Sequence, residues 1–308
     1  MTALLRARLQ VLVAAVIFSM GGAAIKSCSL GAWHVAGLRS GVAALVLLAA
    51  VPQARGRWTA RTFLVGTAYA GTMILYVAAN KLTTAANAIF LQSTAPLFVC
   101  LLAPYVLAEP FRRRDLPFLG AVGCGILLLV FGIDESSATA PNPALGNAVA
   151  AVSGFVWACT LMLLRWTERR DPAGSAPGVV LGNVIASGVA LPLSGSVPQG
   201  SSLDWALVFY LGAIQIGAAY ACLIRGVRVL PALEVSLLLL LEPVLNPVWA
   251  WLVHGETPSA FSLTGGAIVL AATTLRGVLM PGADVAEPVN GRGGGEQVSP
   301  AEHHASVG

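Results

Sequence analysis

The chain has 308 residues, of which 56% are apolar and 10% charged, with a formal net charge of +4 and a mean hydropathy of +0.78. A soluble domain needs about 25% charged residues to cover its surface, so this composition excludes a water-soluble globular protein. The basic balance comes from arginines clustered in short links, which suit anionic lipid headgroups rather than nucleic acid.

Taken in chain order, ten apolar runs match the roughly 30 Å thickness of a hydrocarbon core. Five fall in the first half, at 9–28, 33–51, 62–80, 84–107 and 116–133. Five more follow at 145–164, 177–196, 203–224, 232–253 and 261–280. Links such as "PQARGRWTAR" and "AEPFRRRD" break helices with Pro, Gly or clustered charge. The period-two alternation of a membrane β-barrel is absent, and a helix satisfies its own backbone in lipid. The expected fold is therefore all-α and integral to the membrane, with ten transmembrane helices. Arg6 and Arg8 ahead of the first run also fit a signal peptide, but the run is long enough to span.

The expected organisation is an N-terminus at 1–8, a five-helix unit at 9–133, a connecting loop at 134–144, a second five-helix unit at 145–280 and a tail at 281–308. That tail, "GADVAEPVNGRGGGEQVSPAEHHASVG", is polar, Gly-rich and free of aromatic residues. It cannot bury enough surface to fold and is expected to be disordered. Its "GRGGGE" reads as a linker, and no phosphate-binding loop occurs in the chain.

Lys and Arg favour the cytoplasmic side of short loops. With the N-terminus inside, fifteen arginines fall inside: Arg6, Arg8, Arg55, Arg57, Arg61, Arg112, Arg113, Arg114, Arg165, Arg169, Arg170, Arg225, Arg228, Arg276 and Arg292. Only Lys26 and Lys81 fall outside, and Arg39 lies within the second run. Ten spans return the C-terminus to the same side. The expected location is the cell membrane, multi-pass, with both termini cytoplasmic.

An offset of 147 superimposes "KLTTAANAIFLQSTAPLFVCLLAPYVLAE" (Lys81 to Glu109) on "RVLPALEVSLLLLLEPVLNPVWAWLVHGE" (Arg228 to Glu256). It pairs Pro96 with Pro243 and Glu109 with Glu256, in the fourth and ninth runs. Self-similarity of this kind marks a duplicated unit. Five spans is an odd number, so the second copy enters the membrane upside down. Inverted repeats suit alternating access, because exchanging the conformations of the two halves turns a cavity from one side to the other.

These residues resemble the EamA-like transporters of the drug/metabolite transporter superfamily, built from two five-span domains. The resemblance rests on Pro96 with "AE", Pro243 with "GE", the "LEPV" of the second half and the Arg of "GLRSG". The first half departs from the pattern, because "TAPLF" lacks a Glu before its Pro. The resemblance implies export or uptake of amino acids, other small metabolites or drugs through a central cavity between the halves.

Glu242 is the residue that the apolar run 232–253 least explains. Ten residues into that run, it is expected near mid-membrane, where an ionisable group is costly and faces a cavity or a partner. Either it binds a cationic part of the substrate or exchanges a proton, or it locks helices by pairing with Arg39. Arg39 could grip a substrate carboxylate with two prongs, or snorkel toward the outer headgroups. An Arg39–Glu242 pair on one cavity would suit a zwitterion. Pro96 and Pro243 remove helix amides that would bond Gln92 and Leu239, leaving either gating kinks or static curvature. Gln92, Trp157, Tyr220 and Tyr76 are further candidates to line the cavity, and the resemblance favours Gln92, Trp157 and Tyr220. Glu109 and Glu256, which end their helices near opposite membrane surfaces, read as structural caps or partners of basic residues.

Cys28, Cys100, Cys124, Cys159 and Cys222 show no metal or redox spacing and read as small apolar fillers. No metal and no cofactor is expected. The expected function is a secondary transporter moving an amino acid-like or drug-like molecule across the cytoplasmic membrane by alternating access, as an exporter with protons as the candidate coupling ion. An uncoupled facilitator, a channel and a membrane-embedded lipid-modifying enzyme remain alternatives. The partners are a small-molecule substrate, the bilayer and the coupling proton, with no nucleic acid; the sequence leaves the oligomeric state open.

Overall fold

A computed structural model describes residues 2–106, 113–131, 136–168, 175–195, 199–227, 229–230, 235 and 238–279. The tail 281–308, Glu109, Glu234 and the basic residues Arg112, Arg169, Arg170, Arg228 and Arg292 lie outside these described residues. Among the described residues the regular structure is helical, apart from a single bridge between Ser137 and Ala140.

The helices are α1 (Ala3–Ser19), α2 (Gly21–Ser27), α3 (Ala32–Ala50), α4 (Ala60–Leu82), α5 (Ala85–Gln92), α6 (Ala95–Val106), α7 (Leu116–Phe131), α8 (Pro143–Glu168), α9 (Ser175–Leu193) and α10 (Ser202–Phe209). A π-helical stretch, Tyr210–Ala218, joins α10 to α11 (Ala219–Val227), and α12 (Leu241–His254) and α13 (Ala260–Leu279) follow. Local chemistry sets several starts. Thr59 and Thr62 form a reciprocal capping box at α4, Ser201 and Asp204 form another at α10, and the Thr84 hydroxyl caps α5. Each such side chain satisfies an amide that the first turn leaves without an intrahelical partner.

By length and composition, seven helices among the described residues can cross a membrane: Ala3–Ser27, Ala32–Ala50, Ala60–Leu82, Ala85–Val106, Pro143–Thr167, Ala176–Leu193 and Ser202–Gly226. Leu116–Val130 and Ala260–Arg276 are shorter apolar helices. These nine lie on nine of the ten expected runs. The remaining run, 232–253, departs from a single continuous helix: among its described residues Leu238 and Leu239 are helical, Leu240 is a turn, and α12 begins at Leu241.

Lipid is as apolar as leucine, so helices in a bilayer associate through close packing of small residues and interhelical hydrogen bonds. Both occur here. The α4 helix packs against α8 and α9, α3 against α9 and the π-helical stretch, α1 against α11 and α12, α5 against α8 and α12, and α7 against α13. Where α4 meets α9, a Cβ on Gly182 would stand 2.9 Å from the Gly66 carbonyl oxygen and 2.7 Å from the Tyr69 ring. Polar links run Gln92 Nε2 to Ser153 Oγ (3.0 Å), Thr72 Oγ1 to Thr160 Oγ1 (3.3 Å) and Thr83 Oγ1 to Asn147 Oδ1 (2.7 Å).

The two ends of the bundle differ in chemistry. Arg55, Arg61, Arg165, Arg225 and Arg276 gather at one end, where Arg276 Nε lies 3.3 Å from Asp115 Oδ1 and the Arg61 guanidinium sits 5.4 Å from the Trp166 ring. At the other end are Lys26, Lys81, Asp204 and Glu256. We call these the arginine end and the lysine end.

Candidate functional site

Two helix breaks prepare the interior. In the first half α5 stops at Gln92 and α6 restarts at Ala95; in the second α12 starts at Leu241. The breaks correspond under the 147-residue offset, which carries Ser93 to Leu240 and Pro96 to Pro243. Pro96 is thus the second residue of α6 and Pro243 the third of α12. Both lie in a first turn, where the missing amide would have had no intrahelical partner. This corrects the expectation of a kink inside a continuous helix. The carbonyls at the end of α5 are satisfied locally: Ser93 Oγ donates to Ile89 O (2.7 Å) and Thr94 Oγ1 to Leu91 O (2.6 Å).

Glu242 therefore occupies the first turn of α12 rather than the middle of a helix. There the positive end of the helix dipole favours a carboxylate. The residue is half-buried. Tyr76 of α4 and Tyr220 of α11 are both within electrostatic range of its carboxylate.

Arg39, on α3, is 1% exposed, so it does not snorkel to the headgroups. Its Nη2 donates to the Met73 carbonyl at 3.3 Å and approaches Met73 Sδ at 3.6 Å, while Nε has no hydrogen-bond partner. Tyr69, Tyr76 and Tyr220 lie within electrostatic range of the guanidinium. Among the described residues no ion pair joins Arg39 to Glu242, so of the two alternatives the locking pair is not seen there. Tyr76 and Tyr220 are instead common to the surroundings of both charges.

The walls are aromatic and amide-bearing. Tyr220 meets Phe18 edge-on at 5.2 Å and Tyr69 at 6.1 Å between ring centroids. Asn246, wholly buried one turn beyond Glu242, donates from Nδ2 to the Tyr76 hydroxyl at 3.4 Å. Its amide also faces α2, because a Cβ on Gly22 would stand 2.8 Å from Asn246 Oδ1. Gln215, in the π-helical stretch, donates to Phe18 O at 3.4 Å, and Trp249 donates to Ser19 Oγ at 2.8 Å.

Of the candidates read from sequence, Glu242, Arg39, Tyr76 and Tyr220 are brought together. Gln92 is half-buried and bonded to Ser153 on α8. Trp157, also half-buried on α8, is not linked to this group by any hydrogen bond among the described residues. Sequence reasoning passed over Gly22 and Phe18, whose signal was available in the Gly21–Gly22 pair that breaks the first apolar run at Met20. A concavity of about 120 Å³ between Val51, Pro52, Gln53, Ala221, Ile224 and Arg225 opens at the arginine end. Its nearest α3 residue, Ala50, is about 16 Å along the helix from Arg39 at 1.5 Å per residue, so it is not the charged site itself.

This arrangement offers a buried cation and an acidic group near the same two tyrosines, inside a bundle of apolar helices. Among the described residues no group of His, Cys, Asp and Glu is placed to hold a metal ion. The model of the EamA-like transporter family matches residues 5–131 and again 144–277, one copy in each half. The uncharacterized transporter YdfC of Bacillus subtilis (strain 168) is 27% identical over 212 residues, covering 68% of this chain and 68% of its own. A crystal structure of 18% sequence identity superposes with a TM-score of 0.58 over 91% of this chain and 99% of its own, which shows the fold alone. The chain is a membrane transporter and belongs to the EamA-like transporter family.

Proposed function

We propose that the protein is a secondary transporter of a small zwitterionic, amino acid-like metabolite, which it exports across the cell membrane by alternating access between two inverted halves. The observation that carries this reading is Arg39. A guanidinium cannot shed its proton in a protein, and burying it without an anion is costly, so the site is completed by a carboxylate brought by the cargo. Glu242, near the same Tyr76 and Tyr220, is the complementary partner for the cargo's ammonium group. With no cargo, the same carboxylate is the group that takes up the coupling proton.

Packing supports the inversion. Exchanging each helix for its counterpart five spans away turns the α4–α8 contact into the α11–α1 contact, and the α4–α9 contact into that of the π-helical stretch with α3. The contacts α3–α9, α5–α12 and α7–α13 map onto themselves. The first half begins at the arginine end and the second at the lysine end, and the positive-inside rule makes the arginine end cytoplasmic.

The test is counterflow of radiolabelled amino acids and cationic drugs in proteoliposomes, with and without an imposed pH gradient. Exchange accelerated by unlabelled cargo on the far side is expected, with a gradient of protons driving net movement. Flux that never saturates would instead indicate a channel, and chemical turnover of lipid without counterflow an enzyme.

A further inference from the structure

The lysine end is closed by side chains that reach between the halves. Lys26, at the end of α2, places Nζ 2.9 Å from Glu256 Oε1, with the two side chains 2% and 5% exposed. Lys26 also donates to the carbonyls of Thr83 (2.7 Å) and Thr139. The other Glu256 oxygen, Oε2, accepts the Ala85 amide at the start of α5 at 3.0 Å. One ion pair thus ties the ends of α2 and α12, the start of α5 and the loop between the halves. Gly255, in the left-handed conformation at φ 67°, ends α12 and turns Glu256 inward. A second tie runs from Asp204 of α10, whose Oδ2 accepts the Ser29 hydroxyl at 2.8 Å. His254 Nε2 lies 2.9 Å from the Ala23 carbonyl.

Directly beneath this pair, α2, α5 and α12 converge on the charged site. Gly22 stands against Asn246 and the Ala85 methyl, and Asn246 donates to Tyr76, which lies within electrostatic range of both Glu242 and Arg39. Cargo cannot pass between the site and the lysine end while these three helices are held together. We propose that the Lys26–Glu256 pair is the gate of the lysine end: closed as seen here, it parts once in each transport cycle to open the site to that side. This inference rests on the alternating-access reading. The energetics fit a gate better than a staple, because a buried ion pair contributes little net stability against an apolar replacement but is costly to leave half-broken. Such a contact gives two discrete states rather than a graded one.

The test uses full-length protein in proteoliposomes, with the five native cysteines replaced by alanine and Ala85→Cys as a reporter under the gate. A membrane-impermeant thiol reagent is added on the lysine side, and labelling is timed. Glu256→Gln and Lys26→Met each strip one charge and are expected to speed labelling about tenfold. The double variant K26M/E256Q, which leaves no stranded charge, is expected to label more slowly than either single variant but faster than the native pair; if a single variant does not fold, double-variant labelling no faster than the native pair overturns the gate. Unchanged labelling in folded single variants, or a double variant that labels faster than both, would overturn the gate. If labelling responds as expected but wild-type protein shows no counterflow, the pair still closes the lysine end while the alternating-access reading on which its cycling rests falls.

Discussion

Arg39→Met separates a binding cation from a structural one, because the two roles predict opposite effects on stability. A guanidinium at the centre of a membrane helix costs about 2.5 to 3.5 kcal/mol on insertion scales. Arg39 recovers part of that through the Met73 carbonyl, but at 3.3 Å and with Nε unsatisfied the return is about 1 kcal/mol. Methionine is unbranched and fits irregular space, so the substitution is expected to raise stability by up to about 1.5 to 2.5 kcal/mol, or leave it unchanged. Recognition should move the other way: a two-pronged Arg–carboxylate contact of about 3 kcal/mol corresponds to roughly a hundredfold in affinity. Thermal unfolding of the detergent-solubilised protein gives the first quantity and counterflow half-saturation the second. A folded variant destabilised by more than about 2 kcal/mol, with every cargo affected equally, would refute the reasoning and make Arg39 a packing residue.

Glu242→Gln keeps the shape of the first turn of α12 and removes its charge; exchange of zwitterions should continue, while net movement driven by a pH gradient should disappear. Unaltered gradient-driven uptake would assign the proton elsewhere. Gly154→Ala puts a methyl 2.7 Å from the Leu91 carbonyl, backbone that cannot rotate away, and should cost about 1 to 3 kcal/mol as overpacking does; a wild-type melting temperature would contradict the close α5–α8 approach. Asn246→Leu removes the donor to Tyr76 and leaves the hydroxyl without it, so exchange should slow at unchanged expression, as read by initial rates in proteoliposomes.

The helices were legible because an apolar run of about 20 residues has few alternatives in a chain this poor in charge. The repeat was legible through the proline and glutamate pairs at an offset of 147. What the residues alone misplaced was the helix boundary. Counting from the start of an unbroken run put Glu242 in mid-helix, whereas Pro243 at a first turn already carries the signal of a restart. The π-helical stretch left no mark, since Tyr210–Ala218 is as apolar as its flanks. The Lys26–Glu256 pair spans most of the chain, and no local pattern links residues so far apart. Its trace in the sequence was indirect: Lys26 and Lys81 are the two basic residues assigned to the sparsely charged side, and a cation kept there against the general bias has a specific partner.

The most direct measurement is equilibrium binding of the best-exchanged amino acid, its carboxamide and its decarboxylated amine to purified wild-type protein and Arg39→Met. The account predicts that removing the carboxylate weakens binding to the wild type about a hundredfold, the equivalent of about 3 kcal/mol, and makes little difference to the variant. Equal losses in both proteins would contradict it, because the carboxylate would then be read by some other group.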